Sequence, residues 1–194
     1  MAKNDCHHKD KIIDYPHSGH KRSEYILPLS YLFLTNFKLT EIGDAMLLGK
    51  PFRPMEPVRY AEPFDSPEWG FQVKWDGVRI LVHKLGRKVV LYNKKLHERT
   101  NQYPDLIEEC LAVLDCQEAV LDGEVVVLAE GRPHFPRVLK RDWATNPRTI
   151  RSLVQQLPIA YMVFDLLHLD GVDLTNLTFW QRQEYLQQLV APGS

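Results

Sequence analysis

The chain has 194 residues, 44% hydrophobic and 25% charged, which suits a soluble globular protein with one sizeable core and leaves no room for two large domains. Its 24 basic and 25 acidic side chains leave a formal net charge of −1, so nothing global marks a nucleic-acid binder and any such site has to be a local basic face. Three cysteines (Cys6, Cys110, Cys116) make no spaced framework, which favours free thiols over a secreted, disulfide-stapled fold, and no apolar run is long enough to cross a bilayer.

Residues 1–24 are polar and carry His7, His8, His17 and His20. Cys6-His7-His8 lacks a Cys-x-x-Cys partner and reads as part of a disordered, solvated leader rather than a metal site. The apolar stretch from Tyr25 to Leu34 is interrupted by Pro28 and runs into Thr35-Asn36-Phe37-Lys38 without a small-residue cleavage site. A cytoplasmic location is therefore expected. Thr40 to Leu48 predicts a helix stopped by Gly49 and Pro51. Pro51, Pro54, Pro57, Pro63 and Pro67 mark an extended, irregular lead-in.

Phe71-Gln72-Val73-Lys74-Trp75-Asp76-Gly77-Val78-Arg79 follows. Its alternation predicts a strand with Phe71, Val73 and Trp75 on a core face and Gln72, Lys74 and Asp76 on the other. Gly77 predicts a tight turn, and Val78 to Lys84 a second strand, so that a lysine, a carboxylate and an arginine share one hairpin. Lys88 to Tyr92 predicts a further strand and Asn93 to Gln102 a polar, basic loop. Leu106, Ile107, Cys110, Leu111 and Leu114 recur at helical spacing, predicting an amphipathic helix from Tyr103 to Leu114. Ala119-Val120-Leu121 and Glu124 to Leu128 predict either a strand pair or one bent strand around Asp122-Gly123. Gly131 and Pro133 mark a turn. Short helices are expected over Phe135 to Arg141 and Thr149 to Leu157, then a strongly apolar strand from Ile159 to Leu167. Thr178-Phe179-Trp180-Gln181 fits a capping box opening a last helix to about Val190. The expected fold class is α+β, with antiparallel β-sheets flanked by helices.

Three Asp-Gly pairs sit beside strand-like runs: Lys74-Trp75-Asp76-Gly77, Leu121-Asp122-Gly123-Glu124 and Phe164-Asp165-Leu166-Leu167-His168-Leu169-Asp170-Gly171. Alone, each is a common turn. In this order, with Arg79 and Glu124 in place, they resemble the ATP-dependent DNA ligases, within the covalent nucleotidyltransferases that also include RNA ligases and mRNA capping enzymes. The resemblance spans roughly Arg53 to Val190 and implies part of a covalent-nucleotidyltransferase (adenylation) fold. Residues 1–45 are expected to be a poorly ordered or unrelated extension, and residues 46–194 the N-terminal part of an adenylation domain.

The resemblance also implies roles. Lys74 would attack the α-phosphate of ATP and become lysyl-AMP, for which its amine must be freed of its proton by nearby cations or partial desolvation. Arg79 would meet phosphate oxygens with its planar fork. Asp76 would help position the ribose and reacting groups, Glu124 would contact the ribose hydroxyls or a metal, and Phe164 would stack on the adenine. Gln72 stands where many relatives carry a carboxylate that reads the adenine amino group, and its amide oxygen can still accept that bond. Asp165 and Asp170 read as turn-shaping residues. Mg2+ is implied beside ATP, held by few carboxylates and by the substrate itself. The implied macromolecular partner is nicked or broken double-stranded DNA, sealed in repair or recombination.

Two departures qualify the resemblance. Many ligases carry Ser-Arg-x-Gly where this chain has Asn93-Lys94-Lys95-Leu96, although Thr100 and Tyr103-Pro104 are kept. Lys94, Lys95 and Arg99 remain to meet phosphates. Relatives also continue to a second glutamate motif, paired lysines and an oligonucleotide-binding domain, none of which precedes Ser194. The expectation is thus a partial adenylating enzyme. The competing readings are a non-catalytic nucleotide- or DNA-binding remnant, a fragment needing a partner polypeptide, and a GTP-using capping enzyme.

Overall fold

The computed structural model describes residues 53–56 and 70–190. The leader, the Thr40 to Leu48 helix, the boundary between 45 and 46, Cys6, and Pro51, Pro57, Pro63 and Pro67 lie outside the described residues. In chain order the elements are β1 (Val78–Leu85), β2 (Lys88–Asn93), a 3-10 turn (Thr100–Gln102), α1 (Pro104–Val113), β3 (Glu118–Val126), β4 (Leu128–Ala129), β5 (Arg132–Pro133), α2 (Phe135–Asp142), α3 (Pro147–Gln156), β6 (Ala160–Leu169), β7 (Val172–Asp173) and α4 (Phe179–Leu189). Five strands form one antiparallel sheet in the order β2-β1-β3-β6-β7, and β4 pairs with β5 in a separate ribbon. The α+β expectation is met.

Strand alternation divides the sheet into two faces. Ile80 and Val82 of β1, Leu91 of β2, Ala119, Leu121 and Val125 of β3 and Leu166 of β6 join the main core with Leu106 and Cys110 of α1, Val138 of α2 and Leu186 and Leu189 of α4. The other face is smaller and more polar, with Leu81, Val120 and Leu167 as its buried apolar cluster. Asp122, Asp165, His83 and His168 are also buried.

Local chemistry fixes the helix ends. Thr178 and Gln181 form the predicted capping box, Gln181 Oε1 accepting from the Thr178 N–H at 2.9 Å. Asn146 caps α3 by accepting from the Arg148 N–H at 2.9 Å, with Pro147 at the first helical position. The Asp122-Gly123 alternatives resolve to a single strand, β3. Cys110 and Cys116 are free and buried, and burial pushes the Cys110 thiol up to about 12.

The stretch from Phe71 to Asp76 departs from expectation. It has no regular secondary structure and belongs to no strand, and Phe71 and Val73, expected in the core, are 55% and 67% exposed. Alternation says which side chains would share a face; it supplies no ladder for the backbone. Among the described residues no strand pairs with this segment. Gly77 likewise has an ordinary φ and is required by proximity instead: a Cβ there would lie 2.2 Å from the Val125 carbonyl oxygen. Of the three Asp-Gly pairs only Asp170-Gly171 is a hairpin turn, with φ of 43° and 83°.

Arg141 organises the helical side. Its side chain is fully buried and donates to both Asp105 oxygens (2.6 and 3.1 Å), to the Leu157 carbonyl (2.8 Å) and to the Gln102 carbonyl (3.3 Å). Next to it, Asp142 accepts from the Tyr103 hydroxyl and from Arg99 Nε, both at 3.1 Å. The Thr100 and Tyr103-Pro104 part of the motif is therefore structural: Thr100 Oγ1 accepts from the Leu91 N–H, and Pro104 opens α1. Arg141→Ala would leave a carboxylate and two carbonyls facing a cavity. We expect it to cost about 3 kcal/mol, read as a lower urea midpoint, with Arg141→Lys recovering only part of the loss.

Candidate functional site

The polar face of the sheet carries the site. Arg79, at the start of β1, lies opposite Glu124 of β3 and diagonal to Asp122. Its Nε and Nη2 donate to the two Asp122 oxygens at 2.9 and 2.6 Å, and its Nη1 donates to the Met55 carbonyl at 2.9 Å. Burial works against the Arg79 charge, yet the Asp122 carboxylate outweighs it and holds the guanidinium above its usual range. Burial pushes Asp122 upward against that same pull. Two parallel N–H···O bonds require an unprotonated carboxylate, so the pair is ionised.

Asp122 faces Asp165 across the β3–β6 ladder, and Asp165 has its own arginine. Arg182 of α4 donates through Nε and Nη2 to the two Asp165 oxygens at 2.7 and 2.8 Å, and through Nη1 to the Leu177 carbonyl. This corrects the turn-shaping expectation for Asp165, which is a buried strand residue. Asp170 does shape a turn, accepting from the Gln117 and Glu118 N–H groups at 2.7 and 2.8 Å.

Phe164 lies on the same face, at a bulge of β6. Asp165 pairs with Asp122 and Val163 with Gly123, so Phe164 is an extra residue without a partner on β3. Its ring lies under the Arg79 guanidinium, 5.4 Å from centroid to Cζ. Its carbonyl oxygen accepts from Gln72 Nε2 at 3.1 Å and Gln183 Nε2 at 2.8 Å.

Glu124 completes the group. The Gly77 N–H bonds its carboxyl, and the positive charges of Lys74 and Arg79 favour its ionised form. Burial nevertheless dominates and pushes its pKa up to about 7. Gly77 thus ties the Lys74 turn to β3 through the Val125 contact and this hydrogen bond. The structure brings together Gln72, Lys74, Arg79, Glu124 and Phe164. Lys74 is exposed, and Asp76, also exposed, makes no hydrogen bond or ion pair with the others. Missed from the sequence were Asp122, Asp165, Arg182 and Gln183. A charged residue inside an apolar strand run signals a required partner, which points to Asp122 and Asp165; nothing in the spacing points to α4.

A basic cleft of about 600 Å³ adjoins this group, lined by Arg53, Pro54, Glu56, Lys94, Lys95 and His97. Asn93 Oδ1 accepts from the Lys95 and His97 N–H groups, both at 3.0 Å, and holds that turn. Arg99, expected to meet phosphates, is instead engaged by Asp142.

Residues 48–194 match the family described as the ATP dependent DNA ligase domain. The chain belongs to that family. A DNA ligase from Thermococcus fumicolans is 32% identical to it over 179 residues, taking in 86% of this chain and 32% of that protein. A DNA ligase from Thermococcus onnurineus (strain NA1) is 32% identical over 153 residues, 75% of this chain and 27% of that one. A solved structure titled mycobacterial DNA ligase D complexed with ATP and MES is 30% identical, with a TM-score of 0.48, covering 61% of this chain and 35% of that one. The chain spans roughly a quarter to a third of the curated ligases it matches. Among the described residues, no helix of this ligase-family chain is long and apolar enough to cross a membrane.

The Glu124 carboxyl binds its proton more tightly in the folded chain than its usual 4.5 allows, so stability falls as pH rises from about 4.5 to 7. Glu124→Gln removes that term. After allowance for solvent screening, we expect the variant to be more stable by on the order of 1 kcal/mol at pH 8, with the gain vanishing near pH 4.5, in parallel urea titrations.

Proposed function

We propose that this chain forms lysyl-AMP from ATP, as the adenylating part of a DNA-sealing reaction. The Lys74 nitrogen attacks the α-phosphorus, an N–P bond forms, the bond to the β-phosphate oxygen breaks, and pyrophosphate leaves while the amine loses a proton. The observation that carries this reading is the convergence of Lys74, Arg79, Glu124 and Phe164 around the Gly77 contact.

Each side chain has a part. The Arg79 fork is taken up by Asp122, so Arg79 would meet phosphate through the N–H groups that pair leaves over, in a fixed orientation. Phe164 offers an aromatic face to the base, and Gln72 an amide oxygen to its amino group. Glu124 serves the ribose or a metal. Among the described residues no cluster of three His, Cys, Asp or Glu side chains could cage an ion. One half-buried carboxyl whose ionisation a dication would favour fits Mg2+ carried mainly by substrate phosphates, and Glu124 is the residue that would hold it. Bound there, the ion would supply charge neutralisation at the phosphates. Transfer of the adenylate to a DNA 5′-phosphate, and the use of this chemistry in repair, extend the proposal. Arg53, Lys94 and Lys95, against the single carboxylate of Glu56, give the adjoining cleft a charge suited to a polynucleotide backbone.

Incubation with α-labelled ATP and magnesium, followed by denaturing electrophoresis, tests the central step. We expect covalent label on the unchanged chain, none on Lys74→Ala, and at least a tenfold slower rate for Arg79→Ala. Label persisting on Lys74→Ala sinks the assignment. Absence of label everywhere, with ATP still bound, leaves a nucleotide-binding module; labelling by GTP alone points to capping-type chemistry.

A further inference from the structure

The Phe164 carbonyl joins three parts of the chain that are far apart in sequence. Gln72 comes from the lead-in segment, Phe164 from the β6 bulge and Gln183 from the first turns of α4. Both glutamine amides donate to the one oxygen, which uses its two acceptor directions. Phe164 is the bulged residue, without a partner on β3, and its carbonyl oxygen takes up both side-chain amides. Among the described residues no strand pairs with the lead-in segment, and this bond holds the Gln72 side chain.

We propose that Gln183 is a positioning residue for nucleobase selection, an inference that rests on the nucleotide site above. With Gln72 Nε2 on the Phe164 carbonyl, the atom of that amide left to read a base is Oε1, an acceptor. An acceptor pairs with the 6-amino group of adenine and opposes the 6-oxo group of guanine. Gln183 holds the Phe164 peptide in the direction that seats Gln72 this way, and the same bond sets the ring under Arg79. Once the peptide is free to turn, Gln72 can present its NH2 instead, and the preference for adenine weakens.

Gln183 can be changed without undocking α4. Arg182 keeps its bonds to Asp165 and the Leu177 carbonyl, and Leu186 and Leu189 stay in the core. Gln183→Glu preserves size but cannot donate to a carbonyl; Gln183→Ala removes the group.

Calorimetry with the α,β-methylene analogues of ATP and GTP, which cannot release pyrophosphate, reads the effect on the full chain. We expect either variant to bind the ATP analogue about three- to tenfold more weakly and to lose a similar factor in ATP-over-GTP preference, with an unchanged circular dichroism spectrum. In a Gln72→Glu background, where residue 72 can no longer donate to the carbonyl, Gln183 substitution should leave the preference unchanged. If the unchanged chain binds the ATP analogue and Gln183→Glu binds it with the same affinity and preference, this inference falls alone. An equal loss of preference in the Gln72→Glu background also overturns it. No binding of either analogue by the unchanged chain overturns the nucleotide site and the inference together.

Discussion

The Arg79–Asp122 pair is the interaction on which the polar face of the sheet depends. Asp122 sits in the middle of β3 with only 4% of its side chain exposed, directly across from Asp165. Two carboxylates so placed would repel each other and lose their hydration together. Each is instead bound through both oxygens to its own guanidinium, one from β1 and one from α4. Planar, doubly bonded pairing gives geometry as well as charge balance, which a lysine at either place would not supply. Arg79 thereby becomes a fixed surface for the Phe164 ring, and α4 is fastened to the strand bearing that ring.

Glu124 lies just outside this balanced set and has no arginine of its own. It has a backbone N–H from Gly77 and two positive charges nearby, and burial still outweighs them. A carboxyl kept near neutrality beside a lysine is suited to a site where charge changes on ligand arrival. The close approach of Gly77 to Val125 determines how near the Lys74 turn comes to it.

Much of the fold was legible because its signals were local. The capping box at Thr178, the Pro104 start of α1, the helical spacing of Leu106 and Cys110 and the apolar run of β6 each state their own geometry. The site was legible in part. Lys74, Arg79, Glu124 and Phe164 were singled out as candidates through a family resemblance; the residue pattern alone would have placed Phe164 in the core. The bulge puts Phe164 and Asp165 on one face, and no feature of the run Tyr161 to Leu167 announces where that bulge falls. Phe71 to Asp76 misled because periodicity is a property of one segment whereas a strand is a property of two. Arg182 and Gln183 escaped notice because their partners lie 17 and 19 residues earlier on another element, where spacing carries no information.

β6 bulges twice against β3, once at Phe164 and once at Leu167. Each extra residue advances the pairing by one, and two restore the original phase of the pleat, so His168 and Met162 oppose Val120 and Glu124 on the same face. A single-residue insertion or deletion that this strand did not take up as a bulge would turn the pairing beyond it inside out, exchanging core side chains for charged ones.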